Sequence, residues 1–336
     1  MTKRYIVTGG GGFVGKALAT ALRRQGHEVV SLSRSFYPEL EALGIQSKQV
    51  DIGSDPSSGW GALFEECSGV FHTAAKVDMW GDFESFFQTN VVGTRNIVEA
   101  CRQHNVPSLV FTSSPSVIHD GSNLRNINES YPYPAHFDAY YPQTKAQAEQ
   151  EVLAADTKGG LRTVSLRPHL IWGPNDTNLI PTVLERAQAG RLTRIGKGDN
   201  LVDLTFIDDC VQAHMKAMEA LEQKPDVAGG KAYFISQGEP VKLWGWIDEV
   251  LAAHSLPPVS RSIPTTVAHG LAVIMELVSR GLNALGVKVT PLLTRFLVSE
   301  MATDHYFDIS RARNDLGYQP SCSISDALSK TFSKAA

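Results

Sequence analysis

Tyr5-Ile6-Val7-Thr8-Gly9-Gly10-Gly11-Gly12-Phe13-Val14-Gly15 is the stretch that decides how this chain folds. Tyr5, Ile6 and Val7 form a β-prone run that enters four consecutive glycines. Val14, Leu18 and Leu22 behind them keep helical spacing. Strand, glycine turn and helix start are what a dinucleotide pyrophosphate requires. The backbone approaches the anion closely, and the unpaired N–H groups of the first helical turn point at it. Gly10, Gly12 and Gly15 fit G-x-G-x-x-G, while Gly9, Gly12 and Gly15 fit the looser G-x-x-G-x-x-G. Alone such a match is weak, but between a strand and a helix it predicts a nucleotide site.

The 336 residues predict about two domains. With 43% hydrophobic and 20% charged residues the chain can bury a substantial core. A formal charge of −4 gives no footprint for nucleic acid, so no nucleic-acid partner is expected. Cys67, Cys101, Cys210 and Cys322 include no C-x-x-C pair and read as thiols of a reducing compartment. No signal peptide precedes the first strand, and no apolar run reaches the roughly 18 residues of a spanning helix. A cytoplasmic protein is expected.

Outward from the glycines, strands are predicted at Glu28–Ser33, Ile45–Ile52, Gly69–Thr73, Pro107–Thr112 and Leu161–Trp172, with helices at Glu84–Asn105 and from Tyr140 to Ala155. Such alternation implies an α/β fold, a Rossmann-type doubly wound parallel sheet, with ligands beyond the carboxyl ends of the strands. The end of the second strand carries Ser33 and Arg34 and no acid. An NAD site usually places Asp or Glu there for the ribose 2′-hydroxyl, whereas a guanidinium suits a 2′-phosphate, so NADPH/NADP+ is expected. Asp51 and Ile52 end the third strand near the adenine, and the small Ala74 and Ala75 follow the fourth. Gly121 to Tyr140 reads as a long functional loop. After Gly173 a smaller, mostly helical substrate region is expected, with helices at Leu179–Ala189, Asp208–Glu222, Leu243–Ala253, Val267–Leu285 and Pro291–Met301. Short strands at Asp203–Ile207 and Ala232–Ser236 return to the first domain. The division is residues 1–172 for the cofactor, with returning segments near 203–222 and 231–236, and residues 173–202 and 237–336 for the substrate.

Tyr141 and Lys145 lie one helical turn apart, and Ser114 follows the fifth strand. A lysine ammonium one turn away, together with the positive charge of an oxidised nicotinamide, would lower the phenol's pKa, and a serine hydroxyl orients a carbonyl oxygen. These parts serve a carbonyl reduction in which Tyr141 gives the proton. Tyr140, Tyr133 and Tyr131 are rivals, but none has a lysine four residues on. None of the ten histidines shows H-E-x-x-H spacing, so no catalytic metal is expected.

Thr8-Gly9-x-x-Gly12-Phe13-x-Gly15, Thr112-Ser113-Ser114, Tyr141-x-x-x-Lys145 and Arg167-Pro168-His169-Leu170-Ile171-Trp172-Gly173-Pro174 together resemble the extended short-chain dehydrogenases/reductases. The likeness runs from Lys3 to about Pro320. Ser113-Ser114-Pro115-Ser116-Val117-Ile118 and Asn200-Leu201-Val202-Asp203-Leu204-Thr205-Phe206 are similar to the 3β-hydroxysteroid dehydrogenase branch. Leu32-Ser33-Arg34, Tyr37-Pro38-Glu39-Leu40, Trp80-Gly81 and Leu293-Thr294-Arg295-Phe296 resemble its bacterial 2-alkyl-3-oxoalkanoate reductases of long-chain olefin synthesis. The resemblance implies Ser114, Tyr141 and Lys145 as catalytic residues. It implies cofactor contacts from Gly9, Gly12, Phe13, Val14, Gly15, Ser33, Arg34, Asp51, Ile52, Ala74, Ala75, Pro168 and Leu170, besides Tyr141 and Lys145. The implied reaction is NADPH-dependent reduction of a long-chain 2-alkyl-3-oxo acid. A steroid or sterol 3β-hydroxy dehydrogenase would use the same residues, and a non-catalytic NADP sensor is the reading of another class.

Pro115 and Ser116 stand where sugar-nucleotide dehydratases carry acids, and Val202 where the epimerases carry an arginine. A hydrophobic acyl substrate is therefore favoured, with Lys76 and His169 as candidates for its carboxylate. Val267, Leu271, Ile274, Val278, Leu282 and Leu285 form an apolar stripe that reads as a core-facing helix. The alternatives are a lid over acyl chains or a face docking a membrane or a partner enzyme. A homo-oligomer is expected.

Overall fold

The computed structural model describes residues 2–332. β1 (Arg4–Thr8) leads through the glycines into α1 (Phe13–Arg24), followed by β2 (Glu28–Ser33), α2 (Pro38–Ala42), β3 (Gln46–Gln49) and β4 (Gly69–His72). Next come α3 (Phe83–Phe87), α4 (Gly93–Gln103), β5 (Ser108–Thr112), β6 (Leu124–Ile127), α5 (Tyr140–Ala154), β7 (Arg162–Pro168) and β8 (Ile171–Trp172). The later part holds α6 (Leu179–Gln188), β9 (Arg194–Ile195), β10 (Leu201–Val202), β11 (Thr205–Phe206), α7 (Ile207–Gln223), α8 (Pro225–Ala228) and β12 (Lys231–Ile235). It ends with β13 (Val241–Lys242), α9 (Leu243–Ala253), β14 (Ser262–Ile263), α10 (Thr265–Ala284), α11 (Arg295–Ala302), β15 (His305–Phe307) and α12 (Ile324–Phe332).

The main sheet runs β12-β7-β5-β4-β1-β2-β3, and every pair in it is parallel. Strand order reverses between β1 and β4, so the glycine loop opens at the switch point where such sheets take their ligands. Consecutive strand residues bury on opposite faces. Val7, Val29, Phe71 and Val110 join one core, and Ile6, Val30, Val70 and Leu109 the other. Burial on both faces is why these strands read as continuous apolar runs. A third core gathers Trp172, Phe206, Trp244, Trp246 and neighbours from the helical C-terminal part, and Phe13 and Val14 pack against it. Within residues 237–332 the chain also returns to the main sheet, where Phe307, Ile309, Leu316 and Tyr318 pack into its core. A smaller sheet, β13-β10-β15-β6, lies in this later part and includes a strand from the expected 121–140 loop. The expected segment's residues 333–336 lie outside the described residues.

Several expected boundaries change for local reasons. The third strand pairs only over Gln46–Gln49, leaving Asp51 and Ile52 in the turn beyond it. The sixth is broken after Pro168, where Leu170 takes a positive φ of 40°. The Glu84–Asn105 helix starts at Phe83, because the Asp82 side chain caps Ser85 N, and it contains a π turn at Gln88–Val92. The Asp203–Ile207 strand shrinks to Thr205–Phe206, and the Pro291–Met301 helix begins at Arg295 behind a Thr294 cap.

The apolar stripe of α10 faces outward. Val267, Leu271, Ile274, Leu277 and Val278 are 41–61% exposed, while Ala268, Ala272, Glu276 and Ser279 are buried. The inward face is set by Glu276, whose carboxylate accepts from Arg295 N at 2.7 Å and Nε at 3.0 Å. The core-facing expectation for the stripe is thereby overturned. Among the described residues no helix is long and apolar enough to cross a membrane.

Asp203 is fully buried, accepts from Phe307 N at 2.9 Å, and leaves its other oxygen unpartnered. Burial pushes its carboxyl up to about 6 from 3.8. Its contribution to stability is thus fully present below pH 3.8 and lost as pH rises through about 6. Asp203→Asn should raise Tm at pH 7.5 and change it little at pH 3.5, measured by calorimetry; equal shifts at both pH values would contradict this.

Candidate active site

The glycine loop is held by three hydrogen bonds, two to backbone and one to a side chain: Gly9 N donates to Leu32 O at 2.7 Å, Gly12 N to Gly9 O at 2.9 Å, and Gly11 N to Ser33 Oγ at 3.2 Å. Gly9 adopts φ +72°, and a Cβ there would stand 2.9 Å from the Ala74 backbone. A Cβ on Gly15 would stand 2.3 Å from Gly9 O. These contacts explain why both positions lack side chains. α1 has no acidic residue in its first turn and no side-chain cap on its N-terminal N–H groups, so they remain available to an anion. Arg34 is exposed and forms no hydrogen bond or ion pair among the described residues. The cradle and the free helix start fit the pyrophosphate of a dinucleotide. Ser33 ends β2 and Arg34 follows it, while Ala74 and Ala75 come after β4, the two strands that flank β1. Asp51 is exposed and accepts from Gly53 N at 3.0 Å through one oxygen, while Ile52 is buried against Gly93.

Ser114 ends the segment after β5, and Tyr141 and Lys145 lie on α5, which packs against it. The Ser114 hydroxyl lies near enough to the Tyr141 phenol to act on its pKa. Ser114 Oγ also accepts from Ser116 N at 3.2 Å, which sets its direction. Lys145 is buried, donates from Nζ to Thr112 O at 2.5 Å, and lies 4.0 Å from the Phe111 ring centroid. Burial brings its ammonium down to about 7, against the opposing charge of Glu149. Burial pushes the Tyr141 phenol up to about 12, which the Ser114 hydroxyl opposes and the Glu300 charge adds to. Lys145 by itself therefore does not give the lowering expected of lysine and oxidised nicotinamide together. In this geometry the phenol holds its proton. The rival tyrosines are committed elsewhere: Tyr133 donates to Glu149 at 2.6 Å, Tyr131 bonds Asp120, and Tyr140 is exposed against Phe83 and Phe86.

Behind α5 lies a buried ion pair. Arg167, at the end of β7, meets Glu149 through Nε at 3.0 Å and NH2 at 2.5 Å, with both side chains at most 3% exposed. Burial pushes the Glu149 carboxyl up, but Arg167, Tyr133 and Ser165 outweigh it and hold it below the ordinary carboxylate value. The pair fixes α5 to β7, the strand that ends at Pro168 and is followed by His169 and Leu170.

Asn90, which the sequence reading missed, ties the site together. Within the π turn its side chain accepts from Lys76 N at 2.7 Å and donates to Lys76 O at 3.1 Å and Thr144 Oγ1 at 3.0 Å. The available signal was a pair of polar residues, Asn90 and Thr94, on the inner side of an otherwise apolar helix. Lys76 itself pairs with Asp78 at 2.8 Å over the Phe86 ring. His169 is buried and its Nε2 is engaged by His305 Nδ1 at 2.6 Å, so this nitrogen does not face an open cleft. A cleft near Tyr140 is lined by Met79, Trp80, Phe86 and Phe137, with Arg280 and Arg295 at its side.

The 3-beta hydroxysteroid dehydrogenase/isomerase family model matches residues 6–263. A 2-alkyl-3-oxoalkanoate reductase of Stenotrophomonas maltophilia is 42% identical over 99% of each chain. A sterol-4-alpha-carboxylate 3-dehydrogenase, decarboxylating, of Mus musculus is 32% identical over 98% of this chain and 90% of that protein. Among solved structures, an epimerase of Methanothermobacter thermautotrophicus shares the fold at 21% identity with a TM-score of 0.77, covering 99% of this chain and 91% of that one.

Glu149→Ala leaves a buried guanidinium unpaired and should cost about 3–5 kcal/mol in denaturant unfolding. Replacing both partners, as Glu149→Leu with Arg167→Met, should recover most of that loss. A double variant no more stable than Glu149→Ala would show that the pair matters for more than its charge balance.

Proposed function

From the premise that this chain belongs to the 3-beta hydroxysteroid dehydrogenase/isomerase family, we propose that it reduces a long-chain 2-alkyl-3-oxoalkanoic acid to the 3-hydroxy acid with NADPH, as a step of olefin synthesis. It is an oxidoreductase of the short-chain dehydrogenase/reductase type. The observation that carries the substrate reading is the full-length likeness to proteins named 2-alkyl-3-oxoalkanoate reductase, at 42% and 41% identity.

The cofactor is a nicotinamide dinucleotide, and Arg34 with no acid beside it supports NADPH. When bound, the reduced nicotinamide supplies the hydride to the substrate's carbonyl carbon. Gly9, Gly12, Phe13, Val14 and Gly15 hold the pyrophosphate, Ser33 and Arg34 the 2′-phosphate, and Asp51, Ile52, Ala74 and Ala75 the adenosine side. Pro168 and Leu170 border the nicotinamide, and Lys145 fixes its ribose. Ser114 holds the carbonyl oxygen and Tyr141, protonated in its buried setting, gives the proton to the developing alkoxide. A phenol kept neutral suits an acid working in the direction of reduction. Met79, Trp80, Phe86 and Phe137 offer an apolar wall for the acyl chains. Lys76 is the proposed partner of the substrate carboxylate, by exchange from the exposed Asp78. His169 is not carried forward in that role.

A sterol dehydrogenase is the second reading, favoured by the relatives named sterol-4-alpha-carboxylate 3-dehydrogenase. A cofactor sensor without turnover would have no use for Ser114, Tyr141 and Lys145 together. NADPH consumption across 2-alkyl-3-oxo acids and 3-oxosteroids separates the three. Turnover of the alkyl keto acids is expected, and turnover of steroids alone, or of neither, would overturn the reading. In that assay Tyr141→Phe should lower kcat by about 10²–10⁴-fold with NADPH affinity unchanged. Arg34→Ala should erode the preference for NADPH over NADH; an unchanged preference would remove Arg34 from the cofactor argument.

The uncovered α10 face supports contact with a membrane or a partner enzyme, and a homo-oligomer belongs to the same reading. Liposome flotation should capture the wild type and lose Leu271→Glu; no flotation of either would remove the membrane version.

A further inference from the structure

Three buried histidines from distant parts of the chain meet close to the catalytic tyrosine. His169 follows β7, His305 opens β15, and His119 ends the turn that Ser114 caps; they are 6%, 2% and 6% exposed. His169 Nε2 lies 2.6 Å from His305 Nδ1, with the rings nearly perpendicular. His305 Nε2 lies 2.7 Å from Glu300 O. A carbonyl oxygen only accepts, so Nε2 carries the hydrogen, and neutral His305 presents the Nδ1 lone pair toward His169. The Glu300 carboxylate joins them: one ligand atom from each of His169, Glu300 and His305 lies within 4.8 Å of the other two. From another side, His119 Nδ1 stands 3.8 Å from Glu300 Oε1 and has no hydrogen-bond partner, while its Nε2 is engaged by Ser299 Oγ at 2.9 Å. Among the described residues no lysine or arginine forms an ion pair with Glu300. The cluster is therefore rich in lone pairs, short of hydrogens and removed from water.

We propose that His169, His305 and Glu300 form a binding site for a divalent transition metal of the zinc type, with water as the fourth donor and His119 beside the Glu300 carboxylate. Imidazole nitrogen and carboxylate oxygen are the donors such ions take, whereas magnesium and calcium prefer all-oxygen sets. The hydrogen bond from His305 Nε2 to a backbone carbonyl is the outer-shell support that fixes the tautomer of a metal-bound histidine. Bonds of 2.0–2.1 Å at a tetrahedral angle separate two ligand nitrogens by about 3.3 Å, so the ion displaces the hydrogen shared by the two rings and parts them by about 0.7 Å. The bound ion ties together the end of β7, β15 and α11, and the Glu300 carboxylate carries the link to His119 in the Ser114 turn. Its role is to position these segments around Tyr141, and the site stands independently of the substrate reading. Spacing along the sequence hides it, because its ligands come from residues 169, 300 and 305.

The test uses the full-length protein, freed of metal by a chelator and dialysed. Zn2+ is titrated in competition with a chromophoric chelator, and Co2+ is followed by visible absorption. Expected are one equivalent of Zn2+ per chain, Co2+ bands of a four-coordinate nitrogen–oxygen site, and a Tm raised by Zn2+. Glu300→Gln, which keeps the carbonyl that His305 uses, should weaken Zn2+ binding by more than the roughly 10–100-fold that loss of an outer-shell partner brings. His305→Gln should do the same, with circular dichroism confirming its fold. His269→Gln, an exposed histidine on α10, should bind as the wild type does. No stoichiometric uptake, or equal uptake by the wild type and Glu300→Gln, would overturn the proposal and leave a proton-bridged imidazole pair.

Discussion

The buried pair of Arg167 and Glu149 is the constraint on which the site's geometry depends. α5 carries Tyr141 and Lys145 one turn apart, and Glu149 is the next turn down the same helix. Arg167 is the penultimate residue of β7, two positions before His169. A fork of hydrogen bonds between them leaves α5 little freedom to slide or rotate against the sheet. An apolar contact of the same area would tolerate a small slip, whereas a buried ion pair loses its compensation with displacement. Register at Tyr141 is therefore set from behind, by a buried pair of charges. The same carboxylate opposes the depression of the Lys145 ammonium, so position and protonation are coupled through one side chain.

A second level of order comes from the carboxyl edge of the main sheet. Reversal of strand order between β1 and β4 opens the crevice, and the small residues on both sides let backbone approach backbone. Tyr141 feels the Ser114 hydroxyl from the β5 side and the charge of Glu300 from α11. The helical C-terminal part thus acts electrostatically on Tyr141.

What was legible in the sequence was whatever had a local cause. The glycine loop, the alternating strands and the Tyr141–Lys145 turn are written in spacing of a few residues. Contacts between distant segments were not. Nothing near Asn90 announces a π turn, since no glycine or proline interrupts Gln88–Val92. The histidine cluster joins four separate segments. α10 misled for a different reason: the rule that the most apolar face turns inward fails where Glu276 must meet Arg295 and where Ala268 and Ala272 allow close packing. The pKa of Tyr141 was not legible because its main cause is burial, which depends on segments distant in sequence.

The π turn at Gln88–Val92 has a consequence for the kinds of change this chain can accommodate. A π turn amounts to one residue inserted into an α-helix, and each helical residue accounts for about 100° of rotation. α3 and α4 are phased relative to each other by that surplus residue, which aims Asn90 at Lys76 and Thr144 while Thr94 still meets His72. Deleting a single residue would restore a regular helix and swing one of these two groups off its partners, whatever the residue deleted. In this segment length itself is under constraint. Substitutions can be absorbed one side chain at a time, but insertions and deletions act on the phase of the whole helix.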